Sequence, residues 1–247
     1  MKNIKVRTKL TIIVALVLVL VASERFISIQ NMNQLKNKAL DTMDTSSRQN
    51  YDDSIKEQVG VVISLLSEIN NEYKAGRYSL DEAKKIAADE IRQMRYGNGG
   101  YFWVDQSDGK NIVLLGNSTE GTNRMNTKDA EGYQMVKEII RVAVQDGGGY
   151  TDYVFPKEGE TEPSPKRSYS EYFKPFDWVV GTGNYTDYID TAIAQQDEEF
   201  TSYASSKAIS LILCSVCMLI VVAILVALIA IDITKSLRKI KEQFEVI

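Results

Sequence analysis

Two unbroken apolar runs divide the chain. Leu10–Ala22 contains no charged residue, and Ala208–Ile231 is longer. A bilayer core about 30 Å thick takes ~20 residues of helix. The second run meets that length by itself. The first is shorter and has two readings. With Lys2, Lys5, Arg7 and Lys9 as a basic leader and Val21-Ala22-Ser23 as a mediocre cleavage site, it reads as a signal peptide. The amphiphilic continuation past Arg25 favours an uncleaved anchor reaching about Ile29.

Between the runs the periodicity changes several times. Gln30 to Lys74 has no proline and a single glycine, Gly60, and its apolar positions Val59, Val62, Ile63, Leu66, Ile69 and Tyr73 recur at three and four. That spacing predicts a long amphipathic helix. Gly76 ends it, and Ser79-Leu80-Asp81-Glu82 has the form of a capping box opening a second helix to about Met94. The pattern then turns to alternation. Gly99–Asp105, the turn Ser107-Asp108-Gly109-Lys110 and the return run Ile112–Leu115 make the strongest hairpin signal in the chain. Side chains alternate across a strand, so Tyr101, Trp103 and Asp105 share one face and Phe102 and Val104 the other.

After the hairpin, Gly116 to Ala130 is polar and turn-rich, a candidate functional loop. A short helix fits Glu131 to Gln145, stopped by Gly147-Gly148-Gly149. Strands are expected at Tyr150–Phe155, Arg167–Phe173 and Trp178–Tyr185. Pro156–Lys166 is expected as an exposed hairpin loop, and Lys174–Asp177 as a tight turn. Five strands joined mostly by turns, with one inserted helix, predict an α+β fold with a single antiparallel sheet. From Asp187 to Lys207 the pattern is helical again and runs into the second apolar segment without a breaker.

Charge assigns an orientation. Four Lys/Arg precede the first run, and Lys235, Arg238, Lys239 and Lys241 follow the second, which places both ends in the cytoplasm. The expected organisation is a cytoplasmic segment 1–9, a membrane helix 10–29, an extracytoplasmic domain 30–206, a second membrane helix 207–231 and a cytoplasmic stub 232–247. Residues 10–231 carry 21 basic against 30 acidic side chains, a balance of −9. Such a domain is a poor partner for nucleic acid or an anionic lipid surface, so an anionic ligand would have to be held by a local cation.

Histidine is absent, which excludes Ser-His-Asp triads, Cys-His dyads and imidazole metal sites. Cys214 and Cys217 both lie in the second apolar run, so the outer domain has no disulfide framework. Their C-x-x-C spacing on a membrane helix fits small polarisable filler better than redox chemistry. Asp105, Asp108 and Asp129 lack calcium-loop spacing and fit turn capping. No enzyme activity, metal or cofactor is expected.

Lys166, beside Pro165, is the cation best placed to meet a carboxylate at the sheet, although Arg167 next to it equally fits a solvated charged loop. Tyr101 and Trp103 wall a cavity or fill a core, and Tyr169 and Tyr185 supply hydroxyls to the same cavity or stand exposed. Asn117 and Arg124 belong to the loop that would cover it. Arg124 grips a carboxylate or, with more weight, pins the loop to backbone carbonyls or Asp129.

Laid out in this way, the chain resembles the input half of a bacterial methyl-accepting chemotaxis receptor with a single Cache domain. The marks are Gly100-Tyr101-Phe102-Trp103-Val104-Asp105, the Asn-Arg-x-x-x-Lys-Asp stretch from Asn123 to Asp129, Pro165-Lys166-x-Ser168-Tyr169, and Trp178-Val179-Val180-Gly181-Thr182-Gly183-Asn184-Tyr185. Ile233–Leu237 looks like the opening of a HAMP linker, with Ser236 where that module usually has proline. Members often carry His-Pro after the second strand, where this chain has Leu115-Gly116-Asn117-Ser118. The resemblance implies a PAS-like sheet, a small organic acid as ligand, a homodimer and a plasma-membrane location with the sensor outside. Cytoplasmic signalling partners would be engaged through an output domain beyond this chain. Alternatives are the input half of a sensor histidine kinase or diguanylate cyclase, a ligand-free structural stalk, or a membrane-tethered enzyme.

Overall fold

The computed structural model describes residues 6–97, 99–157 and 159–244. Parts of the expected terminal segments, at 1–5 and 245–247, lie outside the described residues. Met43–Ile193 forms one compact unit, and the flanking chain forms a second.

Helix α1 runs Val6–Lys74 and helix α4 Asp187–Phe244, and both carry stretches long and apolar enough to cross a membrane. In the flanking unit the two helices meet through polar contacts. The Arg25 guanidinium donates to the Leu211 carbonyl at 2.8 Å and to the Ser215 hydroxyl, and Lys36 pairs with Asp197 at 2.7 Å. A charged group near an apolar span is accommodated by such partners or by reaching the interface.

In the 43–193 unit, α1 buries Tyr51, Ile55, Val59, Val62, Leu66 and Ile69, a stripe at three- and four-residue steps. Gly76, at φ 78°, ends the helix as predicted, and the Arg77 amide reaches back to the Glu72 carbonyl at 3.1 Å. Helix α2, Leu80–Gln93, opens on the predicted capping box. The Ser79 hydroxyl accepts from the Glu82 amide at 3.2 Å, and the Glu82 carboxylate accepts from the Ser79 amide at 2.8 Å.

The strands are β1 (Arg95–Tyr96), β2 (Gly100–Gln106), β3 (Asn111–Leu114), β4 (Gly149–Pro156), β5 (Pro163–Phe173) and β6 (Trp178–Tyr185). They form one antiparallel sheet in the order β1-β2-β6-β5-β4, with β3 also on β2. The five expected strands are present, and the two-residue β1 is added at the start of β2.

Each face carries its own core. On one, Phe102, Val104, Val113, Tyr169, Phe173, Trp178 and Val180 pack against α1 and α2. On the other, Trp103 and Val179 pack under helix α3, Met135–Asp146, through Met135, Val136, Ile139, Ile140 and Ala143. Gly181 lets the indole lie flat on β6: a Cβ there would stand 2.5 Å from Trp103 Cε2 and 2.7 Å from Ser170 Oγ.

Two boundaries differ from the sequence reading. Helix α3 starts at Met135 rather than Glu131, because Asp129 holds the preceding segment as a turn. One carboxylate oxygen accepts from the Glu131 and Tyr133 amides at 3.0 and 2.8 Å, and the other from the Val154 amide of β4 at 3.1 Å. Strand pairing also extends through Pro156↔Pro163, so the loop is far shorter than the expected Pro156–Lys166. Lys166 therefore stands inside β5 rather than at its beginning. Proline is tolerated at such strand ends, where a missing donor breaks little of the ladder.

Candidate functional site

Period-two geometry decides which side chains meet. In the β4–β5–β6 register, Lys166 stands opposite Tyr153 on one side and Tyr185 on the other. All three project on the α3 face, where β2 contributes Tyr101 and Trp103 and β4 adds Phe155. The Lys166 ammonium is 2 % exposed and lies 4.7 Å from the ring centre of Tyr101, 5.0 Å from Tyr185, 5.3 Å from Phe155 and 5.8 Å from Trp103. Its nitrogen donates to the Tyr101 hydroxyl at 3.0 Å. Ring faces attract a cation, but each by only about 0.5–2 kcal/mol, which is less than full hydration offers.

Burial is therefore uncompensated by charge. Among the described residues no carboxylate pairs with Lys166; its amine is pushed down to about 7, first by desolvation and then by the nearby Arg124 guanidinium. The Tyr153 hydroxyl, buried beside it, is pushed well up by desolvation. The box can hold an amine near its neutral point at physiological pH and has room in its chemistry for one negative charge. The Trp103 indole N–H is buried without a protein acceptor among the described residues, leaving a second donor on the same face.

The covering loop is fixed rather than loose. Arg124 grips Asp105 with two hydrogen bonds, Nε to Oδ1 at 2.6 Å and a terminal nitrogen to Oδ2 at 2.5 Å, and Asn111 Nδ2 donates to the same carboxylate at 2.9 Å. Glu120 accepts from the Leu114 and Gly116 amides at 2.7 and 2.8 Å and pairs with Arg92 at 3.0 Å. Strand β3 ends on a turn in which Leu115 and Gly116 both have positive φ, 58° and 73°, closed by the Asn117 amide on the Leu114 carbonyl at 3.0 Å.

Room is distributed unevenly. The hollow between sheet, α3 and loop, lined by Tyr101, Trp103, Arg124, Tyr153, Phe155 and Lys166 among others, measures about 20 Å³, enough for one water. A half-open groove of about 1080 Å³ runs past the ends of β2, β4 and β6 and reaches Lys166, Tyr101, Tyr185 and Asn117 from the other direction.

Of the seven residues singled out in the sequence, Tyr101, Trp103, Lys166 and Tyr185 converge on one box. Asn117 lines the groove at the box's edge. Arg124 lines the small hollow but is engaged by Asp105 rather than by Asp129 or backbone carbonyls. Asp105, expected to cap a turn, is instead the fully buried partner of that pair. Tyr169 is a correction. It lies three residues from Lys166, an odd step that turns it to the opposite face, where its ring packs 5.0 Å from Tyr150. Sequence reading missed Tyr153 and Phe155; their alternation in β4 was visible, but the register setting them against Lys166 was not.

Long helices on one face of an antiparallel sheet and a cation-bearing aromatic box on the other define a PAS-like sensor of the Cache type. The chain belongs to the Single Cache domain 2 family, whose pattern matches residues 47–199. It is 32% identical over 123 residues to the methyl-accepting chemotaxis protein McpP of Pseudomonas putida, covering 49% of this chain and 23% of that protein. It is 33% identical over 177 residues to the sensor histidine kinase MctS of Rhizobium johnstonii, covering 71% of this chain and 37% of that one. The chain thus spans about a quarter to just over a third of the length of these curated relatives. Among solved structures, a periplasmic sensor domain of a chemotaxis protein superposes with TM-score 0.53 at 30% identity, covering 57% of this chain and 96% of that one. A Cache chemosensory domain described for carboxylic acid recognition superposes with TM-score 0.55 at 27% identity, covering 57% and 97%. The unit is a Cache sensor domain homologous to those of chemotaxis receptors and sensor kinases.

Proposed function

We propose that the 43–193 unit binds a small carboxylate at Lys166 and that the chain is the input module of a chemotaxis receptor. The observation that carries this is the buried amine: boxed by four rings, donating to the Tyr101 hydroxyl, and paired with no carboxylate among the described residues. An entering carboxylate supplies the missing countercharge in a site of low dielectric, where a charge-assisted hydrogen bond is strong. The relative described for carboxylic acid recognition supports that ligand class. Acetate or propionate, with four or five heavy atoms, needs several times the present hollow. Binding therefore moves the rings or α3, with the groove as the route of access.

In this reading the site binds and does not catalyse. Residues 10–29 and 207–231 span the plasma membrane, 30–206 lies outside, and 1–9 and 232–247 face the cytoplasm. The working form is a homodimer, and ligand shifts the signalling equilibrium only by its differential affinity for two states. The output is a chemotaxis signalling domain; a kinase output is the second reading, favoured by the longer alignment to MctS.

Acetate titrated calorimetrically into the full chain in lipid nanodiscs tests the site. The anion binds the ammonium form, whose population falls as pH rises through about 7. Affinity is expected to weaken roughly 10- to 100-fold from pH 6 to pH 9, with proton uptake on binding above pH 7. Equal affinity at the two pH values would overturn the assignment.

A further inference from the structure

The box and the long helix α1 touch the same two strands one residue apart, on opposite faces. Lys166 and Tyr185 are a register pair of β5 and β6, and the next pair is Arg167 and Asn184. The Tyr51 hydroxyl of α1 sits against that second pair from behind. It contacts the Arg167 and Asn184 carbonyls, each at 2.7 Å, and accepts from the Asn184 amide at 2.5 Å. A phenol has one proton, so the two carbonyls share it while the amide takes an oxygen lone pair. The neighbouring Asp52 grips Arg167 at 2.6 and 2.8 Å through both carboxylate oxygens. Both α1 side chains thus hold one register pair, Tyr51 through peptide groups and Asp52 through a side chain.

Tyr51 is 8 % exposed, and its hydroxyl proton is held more tightly than usual, chiefly by burial. A buried phenol that spends all its capacity on strand backbone does more than fill space. The alternation of β-strands puts ligand-facing and helix-facing side chains on consecutive residues, so a displacement of the Lys166–Tyr185 pair moves the peptide planes that Tyr51 holds. Beyond Tyr185 only Thr186 separates β6 from α4, whose Asp190 accepts from Arg48 of α1.

We propose that Tyr51, assisted by Asp52, is the positioning residue that transmits occupancy of the Lys166 box to helix α1 through the Arg167–Asn184 register pair. This rests on the carboxylate reading above. Among the described residues the Tyr51 hydroxyl bonds strand peptide groups and no box side chain, so Tyr51→Phe, which keeps the ring that lines the groove, separates transmission from binding.

The test is hydrogen exchange of the full chain in nanodiscs with and without saturating acetate, comparing wild type, Tyr51→Phe and Asp52→Asn, with acetate affinity measured for each. Wild type is expected to show slowed exchange in β5 and β6 and a change of about threefold or more in the 44–58 segment of α1. Tyr51→Phe keeps the ring and is expected to bind acetate within about twofold of wild type, with the strand response intact and the α1 response lost. Asp52→Asn retains hydrogen-bonding shape and is expected to halve the α1 response, a second readout should the phenylalanine variant fold poorly. An α1 response in Tyr51→Phe equal to wild type at full occupancy overturns the coupling and leaves the carboxylate site standing. If acetate changes nothing in wild type, the carboxylate reading falls and takes the coupling with it.

Discussion

Replacing Lys166 with methionine abolishes acetate binding, by about 100-fold or more, and raises the melting temperature of the unliganded chain. The two effects share one cause. Nothing negative among the described residues offsets the buried amine, so without ligand it is a desolvated group with no countercharge, and an apolar side chain of similar length suits the ring box better. With ligand the same amine supplies the charge-assisted contact, for which ~100-fold corresponds to about 2.7 kcal/mol. Stability should also lose a pH dependence. The folded amine titrates near 7 against 10.5 in the unfolded chain, so between those values the unfolded state holds the extra proton. Unfolding free energy then rises with pH across that window, by up to ~1.4 kcal/mol per unit, and the rise ends once both states are neutral. Melting curves from pH 6 to 10 of wild type and Lys166→Met check both points. A methionine variant that binds acetate normally would place the anion elsewhere, and one that melts lower would mean that the amine is satisfied without ligand.

Arg124→Ala is expected to destabilise the 43–193 unit by about 3–5 kcal/mol. The variant strips a bidentate partner from a fully buried carboxylate, leaving Asp105 with Asn111 alone. The loop from Gly116 to Tyr133 loses its strap to β2 at the same time. Pairing the change with Asp105→Asn should recover most of the loss, because the uncompensated charge is then gone, and a double-mutant cycle isolates the coupling. Denaturant melts of the four proteins measure it. A single-variant loss below about 1 kcal/mol would show that the buried carboxylate is solvated by some other route.

The box was half legible in the sequence. Tyr101 and Trp103 were placed on one strand face by alternation alone, and Lys166 stood out beside Pro165 at a strand entry, with Arg167 next to it fitting a solvated charged loop equally. Tyr169 was misplaced because its membership depends on parity within β5, which reads plainly only once the strand is known to begin at Pro163. Lys166 gained its burial from the same extension. Tyr153 and Phe155 were invisible as site residues, since cross-strand register is set by both partners and by the turn between them rather than by either strand. The loop showed the same division. Its length and polarity marked it as functional, whereas the pairing of Arg124 with Asp105, nineteen residues apart, followed from where the two segments come to rest.

By itself the sequence determined the elements whose causes are local: two apolar runs of membrane length, the amphipathic stripe of α1, the capping box at Ser79, the aromatic hairpin around Asp108-Gly109 and the order of strands and helices. These follow from periodicity and backbone preference within a few residues. Only the tertiary structure decided which cation is buried, which rings surround it, that the hollow under α3 is contracted while a groove opens at the strand ends, and that Tyr51 holds the back of the site. Those properties depend on desolvation and strand register, which belong to no single stretch of chain and arise when distant segments exclude water from the same place.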